Sequence, residues 1–168
     1  MKKFKSFITE NQYIKAYTEP GGDGNEPLYR SINRKSHTGD SLTPKESEHY
    51  EGIKDYISNN RIDKDTTVYR GQGTHPGKTF TTKGITSSSP EYDGAYHYAE
   101  NHKLQTGKSG HIVKMNFKAG DNVCHDISPH SLIGEPEHLI HPGIKMKLTK
   151  SEYNKEDDMH IHHYEVDK

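Results

Sequence analysis

The chain has 168 residues, room for one domain and too little for a second of ordinary size. Hydrophobic residues make up only 28%, with 11 tyrosines among them, yet 23 basic and 24 acidic side chains leave a net charge of -1. That balance argues against the highly charged disordered class and predicts a folded, polar domain whose thin core leans on tyrosine.

The same balance gives no global attraction to nucleic acid or to an anionic membrane. The opening Met1-Lys2-Lys3-Phe4-Lys5 is basic, but no apolar run follows as in a secretory signal, and no stretch approaches the length of a membrane span. Cys124 is the only cysteine, so no internal disulfide can form. The expectation is a soluble, cytoplasmic monomer.

In chain order, residues 3–17 predict a short helix, residues 19–27 a Gly- and Pro-rich loop, and residues 28–34 a weak helix. The best helix spans Pro44 to Asn59. Thr43 is its N-cap, Pro44 suits the first turn, and Glu46 completes a capping box. Tyr50, Ile53 and Ile57 share one face of it. Beyond this point strand formers dominate, over 66–69, 79–82 and 85–89. Residues 92–102 then carry Ala95, Tyr98 and Ala99 at helical spacing, and 111–117 alternate as a strand. Residues 137–140 and 144–148 flank His141-Pro142-Gly143 as a hairpin would, and 159–166 form a last strand. Helices first and a mainly antiparallel sheet afterwards make an α+β fold, divided as residues 1–42 and residues 43–168 of a single domain.

Three separated segments suggest chemistry. In Val68-Tyr69-Arg70-Gly71-Gln72-Gly73 an arginine ends a strand beside two glycines, pairing a planar donor fork with bare backbone that a pyrophosphate could approach. In Gly84-Ile85-Thr86-Ser87-Ser88-Ser89 the hydroxyls of Ser87 and Ser89 share a strand face and Ser88 points the other way. In Glu135-Pro136-Glu137 two carboxylates project to one side of an extended segment, a costly placement without a use. Each segment alone also has a plain reading: a solvated strand-end arginine, a polar edge strand, an acidic loop.

Taken in order, the three segments resemble the arginine–serine–glutamate class of ADP-ribosyltransferases. That class includes the clostridial toxin domains and the small enzymes of T-even-like bacteriophages. Its pattern is an aromatic-Arg-Gly strand, a Gly-aromatic-x-Ser-Thr-Ser segment, and Glu-x-Glu leading into a Leu-rich strand and a Pro/Gly turn. The counterparts are Tyr69-Arg70-Gly71, Gly84 to Ser89, and Glu135-Pro136-Glu137 with Leu139 to Gly143, so the likeness covers roughly residues 43 to 150. Ser88 stands where the pattern has Thr, Ile85 where it has an aromatic, and Pro136 between the glutamates is a further departure.

The resemblance implies N-terminal helices packed on a two-sheet β core, NAD as substrate, and no metal. It implies that Arg70 pairs with the phosphates, that Gly71 and Ser89 help bind NAD, and that Ser87 positions the ribose and Glu137. Glu137 would stabilise the cationic ribose of the transition state. Glu135 would orient an arginine acceptor and take its proton. The partner would be an arginine-bearing target, by analogy with the phage enzymes a component of host transcription or translation in the host cytoplasm. Tyr92 and Phe80 are the candidates for an aromatic that packs on nicotinamide or target. Competing readings are an NAD glycohydrolase, a non-catalytic binding module of the same fold, and a metal protein built on His160, His162 and His163, with His160 and His162 sharing a strand face.

Overall fold

The computed structural model describes residues 10–21, 26–132 and 134–168. Three helices come first: α1 (Glu10–Thr18), α2 (Leu28–Thr38) and α3 (Pro44–Asn59). Of the helix expected over 3–17, residues 3–9 lie outside the described residues. α3 begins where its capping box dictates: Thr43 Oγ1 accepts from the Glu46 N–H at 3.3 Å, and Glu46 Oε2 accepts from the Thr43 N–H at 2.7 Å. The same carboxylate accepts from Lys35 Nζ at 2.7 Å and Ser31 Oγ at 2.5 Å, which pins α2 to the start of α3. Burial of Glu46 works against its charge, but these donors outweigh it and hold its pKa down at about 2.

The rest of the chain is β1 (Thr66–Gln72), β2 (Thr79–Thr81), β3 (Thr86–Ser88), α4 (Tyr92–Thr106), β4 (Gly110–Phe117), β5 (Cys124–Asp126), β6 (His138–Ile140), β7 (Lys145–Asn154) and β8 (Met159–Val166). They form a five-stranded sheet in the order β1-β4-β8-β7-β2 and a three-stranded sheet in the order β3-β6-β5. Pairing is antiparallel except between β4 and β8. The α+β class with helices on a mainly antiparallel two-sheet core is therefore observed.

Side-chain alternation in β6 explains the layering. Leu139 packs with Ile14, Tyr17, Ile32 and Ile53, placing α1–α3 on one face of the small sheet. Its neighbour Ile140 packs with Val68, Val113, Met115, Phe117 and Tyr164, filling the space between the two sheets. α4 closes the far face of the large sheet through Ala95 and Ala99 against Ile112 and Met159. Among the described residues no helix is long and apolar enough to cross a membrane.

The hairpin expected around His141-Pro142-Gly143 is not formed. β6 belongs to the small sheet and β7 to the large one, so the turn carries the chain from one sheet to the other. Thr82 is the reason. Its carbonyl accepts from the Gly143 N–H at 2.6 Å, its N–H donates to Ile144 O at 3.0 Å, and its hydroxyl donates to His141 O at 2.8 Å. A turn whose polar groups are taken by a third segment does not bring its own flanking strands together.

Candidate active site

The strand β1 is an edge of the large sheet, and its alternation sends Val68 into the inter-sheet core and Tyr69 toward α4. Arg70 follows on the Val68 side. Its Nη1 donates to the Ser87 carbonyl oxygen at 2.6 Å, and among the described residues no carboxylate forms a salt bridge with it. Burial lowers the Arg70 pKa. A half-buried guanidinium without a counter-ion is costly, and an anionic ligand would relieve the cost.

β3 pairs with β6 so that Ser87 lies opposite Leu139 and Ser88 opposite His138. The buried Ser88 hydroxyl donates to the His138 carbonyl at 3.0 Å and fastens the strands. Ser89 pairs with Tyr69 across the sheets, through N–H to O bonds of 2.7 and 2.8 Å. Its hydroxyl accepts from the Glu91 N–H at 3.0 Å and shapes the turn into α4. Serines 87, 88 and 89 all line the cavity described below.

Glu135, Pro136 and Glu137 lie in the loop before β6. The Glu137 N–H donates to Ser128 Oγ at 2.9 Å and its carbonyl accepts from the Ile127 N–H at 2.9 Å, which fixes the backbone beneath its carboxylate. Burial raises the Glu137 pKa, the Ser87 side chain pulls it back by hydrogen bonding, and the nearby Glu135 charge raises it further. Glu135 itself is exposed.

These residues converge. A cavity of about 580 Å³ is lined by Arg70, Gly71, Ser87, Ser89, Glu135 and Glu137, with Tyr69, Glu91, His97 and Tyr98 around them. A second cavity of about 280 Å³ lies on the other side of Arg70, over Phe80, Val113 and Met115, with His37, Gln72 and Lys83 at its polar parts. Arg70 is the residue the two share.

Gly71 lines this cavity and has a packing reason besides. A Cβ there would sit 2.1 Å from the Ala95 carbonyl oxygen and 2.8 Å from the Ala99 nitrogen, so its bare side accommodates α4. Gly71→Ala is therefore expected to cost about 1–3 kcal/mol, since backbone atoms cannot yield as a side-chain tip does. Calorimetry should show a melting point lower by roughly 2–12 °C; an unchanged one would mean that α4 does not rest on this strand.

The two candidate aromatics sit away from the glutamate cavity. Tyr92 packs edge-on against Tyr69 at 5.9 Å and donates to Asp157 Oδ2 at 2.8 Å, and Phe80 packs on Tyr164 at 4.9 Å in the second cavity. Neither lines the glutamate cavity. Tyr98 does, from α4, with 62% of its surface exposed. Helical spacing had grouped it with Ala95 and Ala99 on one face, yet they are buried and it is exposed.

The histidines expected as an alternative metal site separate. His160 and His162 stack at 6.3 Å on one face of β8, beside His111 and His75, while His163 bonds Glu152 at 2.8 Å. Burial and the surrounding imidazoles push His162 down to about 4. Among the described residues no group of three or more His, Cys, Asp or Glu could hold a metal ion.

No family model and no curated protein matches the chain. Solved structures do. Exoenzyme S from Pseudomonas aeruginosa, in complex with human 14-3-3 protein beta and bound to Carba-NAD, has a TM-score of 0.69 at 17% identity, over 94% of this chain and 72% of that one. An ADP-ribosyltransferase from Clostridium botulinum has a TM-score of 0.70 at 14% identity, over 95% and 86%. Vis toxin, an ADP-ribosyltransferase from Vibrio splendidus, has a TM-score of 0.67 at 19% identity, over 97% and 76%. The chain has the fold of these ADP-ribosyltransferases, with an arginine, a serine and two glutamates gathered on one cavity.

Proposed function

We propose that the protein is a mono-ADP-ribosyltransferase that moves ADP-ribose from NAD to an arginine side chain and releases nicotinamide. The observation that carries this reading is the convergence of Arg70, Ser87 and Glu137, far apart in sequence, on one cavity. The fold adds support, as does the solved complex of Exoenzyme S with Carba-NAD. A further protein of similar fold, from S. aureus, has been solved with NAD itself.

In this reading Arg70 holds the diphosphate between the two cavities it borders. The smaller cavity offers an apolar floor and the cationic Lys83 to the ADP half, and the larger one takes the nicotinamide ribose, with Tyr98 against the nicotinamide ring. The bond from ribose C1′ to the nicotinamide nitrogen breaks, and its electron pair leaves with neutral nicotinamide. Positive charge then gathers on the ribose, and Glu137, held by Ser87, stabilises that charge more than it stabilises the ground state. A guanidinium nitrogen forms the new bond to C1′. Because arginine stays protonated at ordinary pH, the attacking nitrogen must lose a proton, and Glu135 at the exposed edge of the cavity accepts it. Vis toxin has been solved with agmatine, a small guanidine, which supports a guanidinium acceptor here.

The test is incubation with labelled NAD, with and without agmatine, and with a cell lysate. Labelled agmatine and labelled protein are the expected products. Free ADP-ribose alone would replace transfer by hydrolysis, and intact NAD would leave a binding module.

A further inference from the structure

The face of the large sheet that carries the second cavity, over Val113 and Met115, also carries a cluster of imidazoles just beyond it. Val113 is level with Arg70 on β1 and with His162 on β8. Two residues away on the same face, His111 is level with Gln72 and His160. His162, 3% exposed, sits at the centre. Its Nε2 is 2.9 Å from His111 Nδ1, and its Nδ1 is 2.9 Å from Ser151 Oγ of β7. The His75 ring lies against it at 4.1 Å, and His160 stacks on His111 at 5.2 Å.

His75 belongs to the segment of residues 73–78 that joins β1 to β2. Its Nδ1 accepts from the Gly77 N–H at 2.7 Å. The Gly77 carbonyl accepts from the Tyr164 hydroxyl at 2.6 Å, and the Lys78 carbonyl from the Leu148 N–H at 2.8 Å. Tyr164 in turn packs on Phe80, which lines the second cavity. Two of these arrangements need neutral rings. His75 Nδ1 accepts only while it carries no proton. Between His111 and His162 one nitrogen must offer a lone pair, so the rings cannot both be cations and keep the bond. The other groups around them give little relief. His102 of α4 rests on Gly73, and Tyr153 of β7 lies 5.0 Å from His160. Asp158, ahead of β8, feels His160 but is already engaged by Lys103 and the Tyr153 hydroxyl. His163 bonds Glu152. Burial first, and then the neighbouring imidazoles, lower the pKa of His111 as they do that of His162.

We infer that His75, His111 and His162 form an acid-released latch: neutral, they hold residues 73–78 against the large sheet, and protonated they free that segment and loosen the second cavity. A group whose folded pKa is depressed favours the closed form only while it is neutral. The latch is therefore closed above the ordinary histidine value of 6.5 and is released as the pH falls from there toward about 4. The consequence for NAD rests on the reading of the second cavity as the seat of the ADP half.

Hydrogen exchange of the amides of residues 73–78, corrected for its intrinsic pH dependence, reads the opening. From about pH 7.5 to about pH 5 it should rise on the order of tenfold in the wild type. His75→Asn and His111→Asn each put an amide oxygen where Nδ1 stands and remove the titrating group. The double variant should keep its protection at neutral pH and lose most of the pH dependence. Nitrogen-15 NMR of the wild-type imidazoles gives a reading without any substitution: the same amides should shift together with the titration of His75, His111 and His162. Exchange that does not rise in the wild type, rings that charge while those amides stay fixed, or an equally steep opening in the double variant overturns the latch. NAD affinity, measured by calorimetry, should weaken on the order of tenfold over this range in the wild type and hold within about twofold in the double variant. His37 and Lys83, which also line the second cavity, are unaltered in that variant. An affinity that stays flat while the segment opens overturns the link to the cavity. A protein that binds no NAD at any pH overturns the proposed function instead, and the exchange data still decide the latch.

Discussion

Glu137→Gln is expected to lower both nicotinamide release and transfer to agmatine by roughly 10²–10³-fold or more. The substitution keeps shape and hydrogen-bonding reach but removes the negative charge that faces the developing cation. NAD affinity should change little, because Arg70 and both cavities remain. Stability should hold or rise, since burial already disfavours the ionised form of this carboxyl. Nicotinamide release, NAD binding by calorimetry and a melting curve on the same preparation check all three. Retained cleavage would remove Glu137 from the chemistry.

Glu135→Gln should separate the two halves of the reaction. Transfer to agmatine or protein is expected to fall by about a hundredfold, the typical share of a positioned base, while hydrolysis of NAD by water persists. The Glu135 charge raises the Glu137 pKa, so its removal lowers that pKa. Glu137 then stays ionised to a lower pH, and the acid limb of residual hydrolysis moves down. Equal loss of hydrolysis and transfer would show that Glu135 serves the ribose and not the acceptor.

How far the sequence could be read depended on the range of the interactions. α3 was legible because its capping box and buried stripe are local, and Thr43 and Glu46 satisfy each other within one turn. The strand face of Ser87 and the extended Glu135-Pro136-Glu137 segment were likewise readable from alternation and from proline. The partners of strands were not. Nothing local in His141-Pro142-Gly143 announces that Thr82 will take its backbone groups, and nothing in β4 or β8 announces that they run parallel. Tyr98 escaped for the same reason, because it acquires its place only when Gly71 lets α4 settle on β1. The expected hydroxyl pattern of the serines also met a competing use, since Ser89 Oγ is engaged by the turn into α4.

The clasp at Thr82 has a mechanical consequence. Arg70 belongs to the large sheet, while Ser87 and the strand following Glu137 belong to the small one, so the gap between guanidinium and carboxylate is a distance between two separate slabs. Among the described residues the slabs are stitched at two places, beside the cavity by the Tyr69–Ser89 bridge and the Arg70–Ser87 bond, and just beyond β6 by the Thr82 clasp. Two stitches suppress the rotation that a single one would leave as a hinge. Under the proposed function the jaws come prealigned from the framework, and the dinucleotide would not have to assemble them.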